Sequence, residues 1–198
     1  MLEKMHRCFI AIKPTGEILN RILQLIENLK EELDSDLIRW CSKDQLHITL
    51  KFLGDVEEEK IEPLKATLRN YCLEFSKFEL TIGGAGCFPD LNFPRVIWVG
   101  IGGELDKLAT LQEAVEVGVC EFGDHKEEKK FKPHLTIARI KKAQHKELRN
   151  IKNQLQRIIT TVGFISDWHV DEVLLMESLL QPSGAIYQEL ESVKLQIK

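Results

Sequence analysis

Two stretches of this chain, QLHITLKFL at 45–53 and FKPHLTIARI at 131–140, alternate apolar and polar residues in the two-residue period of a strand buried on one face. In the first, Leu46, Ile48, Leu50 and Phe52 fall on one side and His47, Thr49 and Lys51 on the other. In the second, Leu135 and Ile137 lie opposite His134 and Thr136. The apolar sides belong against a layer of helices, which leaves both His-x-Thr sets facing a cleft. With six histidines and eight threonines among 198 residues, chance supplies about a quarter of one His-x-Thr; the chain has two, each inside a strand-like run.

The surroundings of the two motifs repeat. Residues 7–13 predict a strand and 15–33 a helix, followed by a short strand at 38–41, the first motif strand, a helix at 57–71 and a strand at 76–82. Then come a strand at 95–102, a helix at 104–121, the second motif strand, a helix at 144–160, and terminal strands at 169–177 and 186–197. This order predicts one globular domain over residues 1–198, built as two related lobes facing each other. The glycines at 83–86 and 100–103 fit neither phosphate-loop nor dinucleotide-binding spacing and predict a loop or a bulge.

Composition narrows the chemistry. A net charge of −4 argues against a protein that coats duplex nucleic acid, so a nucleic-acid substrate has to be gripped locally. Five scattered cysteines with no C-x-x-C pair predict reduced thiols in a cytoplasm, with no disulfide framework and no zinc site. No apolar run reaches membrane-spanning length and the apolar run near the N-terminus meets a proline after a few residues, so a soluble, unexported protein is expected. Nor does either motif supply a second metal ligand at the spacing a metal site uses, so neither a metal nor another cofactor is expected.

Two imidazoles near their ordinary pKa can act as one base and one acid, which phosphodiester cleavage without a metal requires. A threonine hydroxyl two residues along the same face can donate to a phosphate oxygen that gains charge in the transition state. Lys51, on that face by alternation, is a candidate phosphate contact; Phe9, Trp40 and Phe131 are candidates for stacking a base or for the core. His6, His125, His145 and His169 read as structural.

HITLKFLG at 47–54, PHLTIAR at 133–139 and RCFIAI at 7–12 resemble the RNA 2',3'-cyclic phosphodiesterases, also called 2'-5' RNA ligases, of the two-histidine phosphoesterase superfamily. The resemblance implies a bilobal α+β fold, with two antiparallel sheets flanking a central cleft and helices outside. It implies hydrolysis of a 2',3'-cyclic phosphate at an RNA or nucleotide end to a 2'-phosphomonoester, by a monomer, with a weak reversible 2'-5' joining in some relatives. His47 and His134 become the catalytic pair, His134 as base and His47 as acid, with Thr49 and Thr136 binding substrate. Arg139 is also implied as a substrate contact, although simple alternation puts it on the apolar side with Leu135 and Ile137, so a bulge has to redirect it. The alternatives from the residues are a nucleotide- or RNA-end-binding module without turnover, and an enzyme for another cyclic phosphate.

Overall fold

The computed structural model describes residues 4–33, 35–123, 130–142, 145–181 and 184–197. Along the chain run β1 (Met5–Ile12), α1 (Gly16–Glu32), β2 (Ile38–Trp40), a 3₁₀ turn (Lys43–Gln45), β3 (Ile48–Glu57), α2 (Glu58–Cys72), β4 (Phe78–Phe88) and β5 (Val96–Gly103). There follow α3 (Leu105–Gly118), β6 (His134–Ile140), α4 (His145–Thr161), β7 (Phe164–Val170), β8 (Glu172–Gln181) and β9 (Gly184–Lys194).

The strands form two antiparallel sheets, one in the order β3-β1-β8-β9 and the other β2-β6-β5-β4-β7. The α+β fold with two antiparallel sheets that the resemblance implies is therefore present. The halves of the chain are interwoven: β1 lies between β3 of its own half and β8 of the other, and β5 lies between β6 and the first half's β4. The helices cross as well. α1 and α4 pack on the five-stranded sheet, while α2 and α3 pack on the four-stranded one. Helix α1 shows why it seats there: Ile18, Ile22, Ile26 and Leu29 recur at helical spacing and are buried, each contributing about 1.5–3 kcal/mol.

Three sequence expectations change. The strand expected at 169–177 is two strands, β7 and β8, which turn at Asp171. β7 escaped notice because it is a sheet edge that buries only Trp168 and Val170 and leaves Phe164 exposed, so its apolar pattern is faint. Strand β4 runs through the glycine cluster to Phe88, with a bulge at Gly84, whose φ of 67° suits glycine.

The third change concerns the motif strands. In β3, Thr49 opposes Ala11 but Lys51 opposes Ile10, so Leu50 is an extra residue and the alternation slips by one. Leu50 and Lys51 are both buried on the helix side, and Phe52 turns to the cleft opposite Phe9. β6 carries the same irregularity at the same distance from its histidine. Thr136 opposes Trp98 and Ala138 opposes Ile97, which makes Ile137 the extra residue; Arg139 then emerges on the face of His134 and Thr136.

Candidate active site

His47 immediately precedes β3 and His134 opens β6. Each imidazole is fixed by the same local device. His47 Nδ1 lies 2.8 Å from the carbonyl oxygen of Gln45, and His134 Nδ1 lies 2.7 Å from that of Lys132. A carbonyl only accepts, so in the neutral ring Nδ1 carries the proton and Nε2 presents a lone pair. Among the described residues neither Nε2 has a hydrogen-bond partner.

The walls differ. His47 packs on Phe9 at 4.9 Å and meets Tyr187 edge-on at 5.3 Å between ring centroids. His134 meets Phe88 edge-on at 4.9 Å, and Phe88 in turn lies against Trp98. Phe9 is thus the buried backing of His47, while Trp40 and Phe131 pack on the main core. Trp98 sits over Gly86, where any side chain would overlap the indole, and its Nε1 is buried with no hydrogen-bond partner among the described residues.

Burial pushes the His47 imidazole down to about 4, and the charges of Lys13, Arg139 and His134 press the same way against the opposing pull of the Gln45 carbonyl. His134 is also lowered, by burial first and by Arg139 after it. Both rings and Arg139 therefore share one electrostatic neighbourhood, although they come from different sheets. Thr49 and Thr136 are half-buried on the same faces as their histidines, and neither hydroxyl is engaged with another described residue. A phosphate between the two sheets would meet two Nε2 atoms, two free hydroxyls and a guanidinium.

The bulges sort the remaining candidates. Arg139, implied by resemblance against simple alternation, reaches the cleft. Lys51, expected there by alternation, does not: the bulge at Leu50 turns it to the helix side, where it is 5% exposed and its ammonium is paired with Glu116 of α3. His6 is held between Glu177 and Glu58, and His169 pairs with Glu79 on the surface. His125 and the side chain of His145 lie outside the described residues. Sequence reasoning missed Tyr187, Phe88 and Gln45. The last had a signal: Ser42-x-x-Gln45 is a capping-box pattern, and the structure forms it, with Gln45 Oε1 accepting from the Ser42 amide at 3.0 Å and its Nε2 donating to Ala185 in β9.

Such paired histidine–threonine strands on two facing sheets define a phosphoesterase class, and the chain belongs to the LigT-like phosphoesterases: that family's profile matches residues 12–98 and 100–187, one match in each half. Among curated proteins, the RNA 2',3'-cyclic phosphodiesterase of Aquifex aeolicus is 33% identical over 194 residues, covering 97% of this chain and 98% of its own. That of Methanothermobacter thermautotrophicus is 29% identical over 190 residues, covering 96% and 98%. Among solved structures, TT0787 of Thermus thermophilus superimposes with a TM-score of 0.79 at 26% identity, over 97% of this chain and 99% of that one.

Proposed function

We propose that this protein is a hydrolase that opens 2',3'-cyclic phosphate ends of RNA to 2'-phosphomonoesters, with His47 and His134 as the acid/base pair. The observation that carries the reading is the twin construction of the imidazoles, each locked at Nδ1 by a backbone carbonyl with Nε2 left for substrate. The names of the curated relatives support the substrate class.

In the proposed step, the oxygen of a water forms a bond to phosphorus as the P–O3' bond breaks. One histidine takes the water's proton, and the other, protonated at Nε2 when the bound phosphate anion offsets the burial that keeps it neutral, gives that proton to O3', leaving the phosphate on O2'. Thr49, Thr136 and Arg139 donate to the phosphoryl oxygens, whose charge grows on the way. With a 5'-hydroxyl attacking in place of water, the same step would join RNA ends through a 2'-5' linkage, and its reverse would cleave that linkage to regenerate the cyclic phosphate.

Every group in this step belongs to one chain, which supports action as a monomer. Acid, base and charge stabilisation are all side chains, which supports turnover without a metal ion. No helix among the described residues is long and apolar enough to cross a membrane. The five cysteines are unpaired thiols, which supports residence in a reducing compartment such as the cytoplasm.

The test is incubation with adenosine 2',3'-cyclic phosphate and with an RNA ending in a cyclic phosphate, with and without excess EDTA, followed by product identification. The 2'-phosphomonoester should form at the same rate in both conditions. A 3'-phosphomonoester, binding without turnover, or loss of rate in EDTA restored by one metal would each refute the corresponding part of the reading.

A further inference from the structure

Strand β2, three residues at the edge of the five-stranded sheet, has no part in the step above, yet it carries a second guanidinium to the cleft. Arg39 is directly opposite Arg139 in the antiparallel β2–β6 pair, so the two side chains leave the same face. Opposed residues of such a pair have their Cβ atoms about 4.5–5.5 Å apart, and like charges there are destabilising. Both residues are exposed, and among the described residues neither has an acidic partner. Stability therefore does not account for the pair.

Nor is Arg39 a side chain at large on the surface. Its guanidinium lies against Gly184, at the start of β9 in the other sheet, and a Cβ at that position would overlap the guanidinium nitrogens. The neighbouring Ala185 carbonyl is held by Gln45, whose own carbonyl orients His47. Arg39 and Arg139 also both act on the thiol of Cys41, which places the two guanidinium groups on one small patch. A glycine in the opposite sheet thus makes room for a cation at the mouth of the cleft.

Two other cations near the site, Arg7 and Lys13, have acidic neighbours. Arg7 stands opposite Asp55 in the β1–β3 pair, and Lys13 shares its field with Glu172. Arg39 and Arg139 are left as two adjacent positive charges facing one substrate. A 2',3'-cyclic mononucleotide offers a single anion, which the histidines, threonines and Arg139 already take. The terminal nucleotide of an RNA offers a second, the phosphate on its 5' oxygen that links it to the chain.

We propose that Arg39 is a specificity-determining residue that binds the 5'-phosphate of the terminal nucleotide, so that the cleft measures two successive phosphates and favours the end of an RNA chain over a free cyclic nucleotide. This rests on the phosphodiesterase reading. A charged hydrogen bond of this kind is worth about 10–100-fold in affinity.

The experiment measures kcat/KM on adenosine 2',3'-cyclic phosphate, on the same nucleotide carrying a 5'-phosphate, and on a dinucleotide ending in a cyclic phosphate. It does so for the wild-type chain, Arg39→Met, Arg39→Lys and Arg139→Met. The wild type should prefer the two substrates with a 5'-phosphate by about tenfold or more, through KM. Arg39→Met should erase that ratio and Arg39→Lys should keep part of it, whereas Arg139→Met should depress all three substrates together. A wild type that turns over the cyclic mononucleotide without any preference overturns the role of Arg39 alone. So does an Arg39→Met chain that keeps the wild-type ratio while losing rate on every substrate. A wild type inert on all three substrates overturns the phosphodiesterase reading as well.

Discussion

At the scale of single residues, the two imidazoles reach the cleft as Nε2 lone pairs because each gives its Nδ1 proton to a carbonyl two residues back. Replacing either with alanine should lower kcat by roughly 10²–10⁴-fold, and the double variant should fall far short of the product of the single losses, since the pair acts as a unit. A substrate with sulfur in place of O3' has a leaving group that needs no acid; on it the variant lacking the acid should regain rate. The order implied by resemblance expects that variant to be His47→Ala, and rescue of His134→Ala alone would reverse the roles. The depressed His47 has a second consequence. Its ordinary value is 6.5 and its folded value about 4, so above 6.5 both states are neutral and the group adds no pH dependence. As pH falls from 6.5 towards 4 the unfolded chain takes up a proton that the folded chain refuses, and stability is lost, on the order of 1–3 kcal/mol. Urea unfolding at pH 7 and pH 5 should show a smaller drop for His47→Gln than for the wild type; equal drops would mean that His47 is not held neutral.

At the scale of elements, β3 and β6 show where alternation can be trusted. It held from His47 to Thr49 and from His134 to Thr136, and failed one residue later in both strands, because a bulge leaves no mark in a run of apolar residues. These two slips put Phe52 in place of Lys51 on the cleft face of β3 and brought Arg139 onto that of β6, so alternation gave the right face for the four motif residues and the wrong one for Lys51 and Arg139. Tyr187 and Phe88 were beyond reach for another reason: they come from strands far along the chain, and only the tertiary fold brings them to the histidines. Helix positions were readable throughout, since the buried faces repeat at helical spacing. Lys51 turns the correction into a measurement. Lys51→Met should leave KM for a cyclic phosphate substrate unchanged and lower stability by about 1–3 kcal/mol, because it strips its partner from Glu116, the other carboxylate oxygen of which is already buried with no partner among the described residues. A raised KM with unchanged stability would return Lys51 to the cleft.

At the scale of the whole molecule, the chain passes between the sheets four times, from β1 to β2, β2 to β3, β3 to β4 and β7 to β8. Each sheet is completed by a strand and covered by a helix from the other half, so neither half owns a closed core. Denaturant unfolding of the full chain should be a single transition followed alike by near- and far-UV circular dichroism, and residues 1–98 made alone should show no cooperative unfolding. Two separated transitions would mean that the lobes are independent folding units. The same weave bears on how substrate gets in. Jaws that swing need an axis, a short connector about which one body turns on the other, and four crossings with exchanged strands and helices leave no such connector. The slot between the histidines should therefore keep its width when substrate enters, and turnover is expected to follow arrival, bond-making and departure with no slow closing movement before them.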